Sequence, residues 1–203
     1  MYAKRVPRLI DHTAREIEIA EAAWRVLKRE GIRKLSVRTV AAEAGLATAS
    51  LRRAFPTQHA LFAYSLQCVQ KRVNQRIATT PPGPTLRDTV EAAILQLLPL
   101  DDERRLEMEV FLVIGSMALS DEGLEPAYEE ANEAMAAGCR NVIDLLVRGG
   151  EASPGLDVPL EARKLHAIVD GLALHLLRQG TDEPTMWAVD VLRSHLDSLK
   201  TPG

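Results

Sequence analysis

Cysteine is scarce in this chain: Cys68 and Cys139 are the only two among 203 residues, and neither has a second cysteine or histidine at metal-ligand spacing. That excludes a disulfide framework and a zinc site, and points to a reducing, cytoplasmic setting. Long apolar runs are missing as well. The longest, Val110 to Leu119, is about half a membrane span, and the basic start MYAKRVPRLIDHTARE leads into no apolar signal segment. A soluble, unanchored protein is expected. There is no glycine-rich phosphate loop, nucleophile elbow or paired-carboxylate site. His166 and His175 lie nine apart on one expected helix, about 180° from each other, so they cannot share an ion within the chain. No catalytic residue, metal or organic cofactor is expected.

What is present begins with charge. The net value of −3 hides a division: residues 1–76 hold 15 Lys and Arg against 6 Asp and Glu, net +9, whereas 77–203 hold 10 against 22, net −12. A basic head on an acidic body is the footprint of a chain that meets phosphate, and equally of one that meets an acidic partner protein.

Apolar residues recur at steps of three and four, period-two alternation is nearly absent, and Ala and Leu outnumber Val and Ile. The chain therefore reads as all-α. A first helix is expected from Asp11 to Glu30, with Asp11 or Thr13 as its cap, Ile19, Ala23, Val26 and Leu27 facing inward, and Gly31 closing it. Ser36 caps a second helix through Ala44, Gly45 ends it, a third runs from Ala47 to Ala54 before Pro56, and Thr57 caps a fourth through Ile77. The segment ATTPPGPT, 78–85, is the strongest punctuation. Beyond it the pattern predicts helices over 85–98, 102–119, 124–148, 159–179 and 184–200. The resulting division is 1–56, a small helical head; 57–77, a connecting helix; and 78–203, a helical bundle.

Residues 36–55, SVRTVAAEAGLATASLRRAF, carry the strongest functional signal. A helix-turn-helix needs a small residue where its helices cross, one tolerating positive φ four residues later, and an apolar anchor about six further on. Ala41, Gly45 and Leu51 meet that spacing, and Val37, Val40, Leu46 and Phe55 complete a small core. Arg38, Thr48, Ser50, Arg52 and Arg53 are left to point outward, a set suited to base edges and phosphates. Lys34, Ser36 and Gln58 flank them as further backbone contacts. The tail residues Lys4, Arg5 and Arg8 suit an arm in the adjacent minor groove or an unstructured leader.

At these positions the sequence resembles the TetR family of bacterial regulators. The resemblance covers about residues 15–62: Ile19, Ala22, Ala23 and Gly31, then Ser36-Val37, Ala41, Ala44-Gly45-Leu46, Leu51, Phe55 and Leu61. It implies a homodimer with each recognition helix in a major groove, a body whose last two helices form the dimer interface, and middle helices that often hold an inducer. Five positions depart from the family pattern. Ala47 and Ala49 stand for the usual Ser/Thr cap and Gly, Arg52 for the phosphate-touching Tyr, Ala54 for His or Tyr, and Gln58 for a phosphate-binding Lys. Arg52 can replace the lost phosphate contact bidentately.

In the body, LEMEVFLVIGSMAL, 106–119, is apolar on every face after Glu109 and should be surrounded by other helices. Met108, Phe111, Leu112 and Gly115, with Met135 and Cys139 of the next helix, are candidates for an adaptable apolar pocket, or for plain bundle core. Leu165, Ile168, Val169, Leu172 and Leu176 form one apolar stripe, and Val189, Leu192 and Leu196 another. Paired with their two-fold mates, these are the expected dimer interface. Asp170-Gly171-Leu172 gives the C-terminal half a short similarity to the BetI-like branch. The expected partners are double-stranded operator DNA, a second copy and a small-molecule effector, with no membrane. Two alternatives stay open: a regulator whose body only dimerises, and a helical protein-interaction module.

Overall fold

The protein is described here by a computed structural model covering residues 12–200, with side chains from Glu18 onward. Asp11, Lys4, Arg5 and Arg8 lie outside the described residues. Among the described residues the chain is helical, with no strand, and it forms two compact units that divide between Leu61 and Phe62.

The first unit contains α1 (His12–Glu30), a 3₁₀ turn (Ile32–Lys34), α2 (Val37–Glu43), α3 (Thr48–Ala54) and the start of α4 (Gln58–Thr79). Local chemistry sets each boundary. Gly31, at φ 75°, donates its N–H to the Leu27 carbonyl and ends α1. Ser36 Oγ accepts from the Thr39 N–H at 3.1 Å while Thr39 Oγ1 accepts from the Ser36 N–H at 2.9 Å, a reciprocal capping box that starts α2. At the far end Leu46 donates to Ala41 O and Gly45, at φ 64°, donates to Ala42 O. This Schellman turn requires the left-handed backbone that glycine adopts without strain. Ile19, Ala23, Val26 and Leu27 of α1 are buried with Val40, Ala41, Leu51 and Phe55, so the expected small core forms.

The second unit contains the rest of α4 and α5 (Leu86–Leu95), α6 (Asp102–Ala118), α7 (Glu125–Arg148), α8 (Val158–Arg178) and α9 (Met186–Ser198). Prolines 81, 82 and 84 end α4 as expected, yet the units divide inside that helix. The physical reason is packing: Phe62, Leu66 and Val69 are already buried residues of the body. One apolar cluster joins Val90 and Ile94 of α5, Ile143 and Leu146 of α7, Leu165, Val169 and Leu176 of α8, and Leu192 and Leu196 of α9.

Most of the stripe expected at the dimer interface packs inside the single chain. Leu165, Val169, Leu172, Leu176, Val189, Leu192 and Leu196 are buried within the single chain, and Ile168 packs half-buried against the same core. Residues already shielded by their own chain have almost no surface to offer a second copy. The exposed large apolar side chains of α8 and α9 are instead Leu160, Leu174, Met186, Trp187 and Val191. Gly171 has open space within the chain where a Cβ would stand.

Long-range polar contacts fasten the body. Arg87 of α5 pairs with Glu91 at 2.7 Å, Glu91 pairs with Arg193 of α9 at 2.7 Å, and Arg87 reaches Asp197 at 3.3 Å. Arg105 of α6 donates to the carbonyls of Leu176, Leu177 and Gln179, placing a cation on the C-terminal end of α8. On α8, His166 Nε2 lies 3.5 Å from Asp170 Oδ2, an i,i+4 pair.

Candidate nucleic-acid interface and effector cavity

In the first unit Leu51 is the buried anchor of α3, and the helix presents Ala49, Arg52, Arg53 and Ala54 to solvent. Thr48 and Ser50 are half-buried. Lys34 and Arg38 are exposed ahead of and within α2. None of Lys34, Arg38, Arg52 and Arg53 has an ion-pair partner among the described residues, and Arg33, which the sequence pattern passed over as loop, is also exposed and unpaired. The basic residues of α1 are different. Arg25 and Arg29 hold the Glu43 carboxylate at 2.8 and 2.7 Å and keep it below the usual carboxylate range, the Arg25 hydrogen bond contributing most.

Two side chains expected to touch phosphate also make hydrogen bonds within the chain. Ser36 Oγ caps α2, as above, and the Gln58 amide donates to the Leu35 carbonyl. Both polar groups complete backbone hydrogen bonding at a helix end, which an unpaired backbone group would otherwise lack. Ala47 gives α3 no side-chain cap.

The second unit holds a partly open cavity of about 370 Å³ lined by α4, α5, α6 and α7, with Leu165 of α8 also on its wall. Met108, Phe111, Met135 and Cys139 line it; Leu112 and Gly115 do not. Gly115 leaves its space to the Tyr128 ring, since a Cβ there would meet Tyr128 Cε2 at 2.5 Å, and the Phe111 and Tyr128 rings stack tilted at 5.3 Å. The glycine serves packing between α6 and α7 rather than ligand room. Burial, with the Asp170 charge as a second cause, pushes the Cys139 thiol up to about 11, so it stays protonated.

The wall of the cavity formed by α4 was not foreseen. Leu66, Val69, Gln70, Val73, Asn74 and Ile77 face it, while a two-rung ladder clasps the same helix to α6. Arg72 Nη1 meets Glu103 Oε1 at 2.8 Å, and Arg76 Nη1 meets Glu107 Oε1 at 2.9 Å, with Arg76 Nη2 on Glu107 Oε2 and the Gln96 carbonyl. The equal spacing of Arg72/Arg76 and Glu103/Glu107 was the available signal: four residues on each side, one helical turn.

Residues 19–64 match the description "Bacterial regulatory proteins, tetR family", and residues 85–200 match "BetI-type transcriptional repressor, C-terminal". The HTH-type transcriptional regulator PksA of Bacillus subtilis (strain 168) is 34% identical over 195 residues, covering 96% of this chain and 94% of that one. The chain belongs to the TetR family. It is a TetR-family transcriptional regulator, and its C-terminal half is of the BetI type. Family membership closes the interaction-module alternative. A TetR-family structure from Rhodococcus sp. matches with TM-score 0.79 at 22% identity over 93% of this chain and all of that one, a likeness of fold. The multidrug binding protein EbrR, solved with imidazole, matches with TM-score 0.63 at 28% identity over 93% of this chain and 97% of that one. Other EbrR structures hold malachite green and ethidium. No described helix of this TetR-family chain is long and apolar enough to cross a membrane.

Proposed function

We propose that the chain is a cytoplasmic, homodimeric repressor that grips a palindromic operator and is released by a small molecule entering the body. The observation that carries this reading is the cavity: about 370 Å³ of mainly apolar space with α4 as one wall, α4 being the helix that starts in the helix-turn-helix unit. The small molecules bound by EbrR support an effector role for it. A body that served only to dimerise would have no need of such a space, and close packing would fill it.

The grip rests on Arg52 and Arg53 of α3 with Arg38 and Lys34, exposed cations free to meet phosphate. Thr48 and Ser50 are the uncharged candidates for base edges. The exposed apolar residues of α8 and α9 are the material for the dimer, whose two heads must meet half-sites about 34–36 Å apart. An effector that binds better to a conformation with wrongly spaced heads shifts the population away from DNA.

Fluorescence anisotropy with labelled DNA from beside the protein's own gene tests the reading. Specific affinity at least 10³-fold above random DNA is expected, falling when an effector is added. Equal affinity for both DNAs overturns it.

A further inference from the structure

The ionised groups at the cavity wall come in closed pairs. Glu107 is 4% exposed at its side chain and has both oxygens on Arg76. Arg104 donates Nε to Asp101 Oδ2 at 2.9 Å and Nη1 to the Leu95 carbonyl at 2.8 Å. The third group that ionises there, Cys139, keeps its proton. A charge brought into apolar surroundings must find a partner, because its lost hydration is otherwise uncompensated. Here a cation reaching Glu107 has to share the carboxylate with Arg76, and an anion reaching Arg104 has to share the guanidinium with Asp101.

Uncharged polar groups on the same wall are differently placed. The side-chain amides of Gln70, Asn74 and Asn141 hold no hydrogen bond among the described residues, and each offers a donor and an acceptor. Gln70 and Asn74 are one turn apart on α4, and Asn141 stands on α7. Gln70 is half-buried while Asn74 and Asn141 reach solvent, so the amides form a polar rim above an apolar floor. The volume sits at the small end of the usual ligand range of about 300–1,000 Å³.

We propose that the effector is an uncharged, mainly apolar molecule carrying oxygen or amide functions, selected over organic cations and anions of the same size by a cavity whose charged residues are already paired. This rests on the reading of the cavity as the effector site, and it predicts a selectivity unlike the dyes found in EbrR.

The test titrates the full chain with three fluorescent probes of comparable size: Nile red, uncharged; ethidium, a cation; and 8-anilinonaphthalene-1-sulfonate, an anion. Nile red is expected to bind at least tenfold more tightly than either ion. Gly138→Phe should cut Nile red affinity at least tenfold, since Gly138 lines the cavity with open space at its Cβ position and helix α7 tolerates a larger residue there. Circular dichroism and size-exclusion chromatography establish that this variant keeps the native fold. Ethidium or the sulfonate binding as tightly as Nile red, with Gly138→Phe weakening it, overturns the charge selectivity and leaves the cavity as an effector site. Failure of all three probes, or Nile red binding unchanged by a folded Gly138→Phe, overturns the cavity itself as the site.

Discussion

In the helix-turn-helix unit, polar side chains cap their own helices, Ser36 with Thr39 and Thr57 with Ala60, while Arg25 and Arg29 reach Glu43, 18 and 14 residues away, and Gln58 reaches Leu35, 23 away. In the body the fastening groups reach across 31 residues from α4 to α6, 71 from Arg105 to Leu176, and 110 from Arg87 to Asp197. A unit built from local caps can keep its shape while its surface is freed for DNA. A body held by pairs between distant helices couples those helices to one another, and one such pair, Arg76–Glu107, compensates a charge at the cavity wall.

The largest way to break that contrast is at the α4–α6 clasp. Arg76→Ala leaves Glu107 buried without its cation, and loss of one partner of a buried pair costs about 3–5 kcal/mol. Urea unfolding should show that loss, with Arg76→Met/Glu107→Met recovering most of it. A loss below about 1 kcal/mol would mean that the pair behaves as a surface contact.

Next in size is the surface of α3. Arg52→Ala with Arg53→Ala should weaken operator binding by about 1–3 kcal/mol and lower the salt slope by about 1 to 2. The melting temperature should hardly move, since both side chains are exposed and unpaired. An unchanged salt slope would remove these arginines from the phosphate-contacting set.

The uncapped start of α3 offers a smaller change in the opposite direction. Ala47 has extended backbone, φ −64° and ψ 131°, suited to a cap that its methyl cannot provide. Ala47→Ser should stabilise the first unit by about 1 kcal/mol. Hydrogen exchange of the α3 amides reads that gain locally; equal exchange in both proteins counts against a missing cap as the weak point.

These contrasts explain which parts the sequence made legible. Gly31, Gly45 and Ser36 act on their own neighbours, so helix ends and the helix-turn-helix scaffold follow from short-range patterns. The clasp, the Arg87 network and the cap from Arg105 join residues whose proximity only folding creates. The stripe on α8 is ambiguous for a related reason. A period of three and four identifies residues shielded from water, such as Leu165 and Leu176, without saying which chain shields them. Gly115 was read as room because a missing side chain and a space for a neighbour look alike in sequence, and Tyr128 takes the space.

The smallest effect separates the two units by the sign of their pH response. Arg25 and then Arg29 lower the pKa of Glu43, so its stabilising contribution exists above the unfolded carboxylate range and fades as pH falls through the folded value. Asp170 is shifted the other way by burial, with His166 opposing, and its Oδ1 has no hydrogen-bond partner. A raised carboxyl pKa gives stability that is full below the unfolded value and lost as pH rises through the folded one. Glu43→Gln should therefore destabilise more at pH 7 than at pH 4, whereas Asp170→Asn should stabilise at pH 7 and do little at pH 4. Asp170 is partly solvated, its side chain 42% exposed, which limits the gain to roughly 1–2 °C in Tm. Melting curves of both variants at the two pH values decide it: slopes of the same sign would show that Asp170, like Glu43, is held ionised by its neighbour, and that His166 outweighs burial.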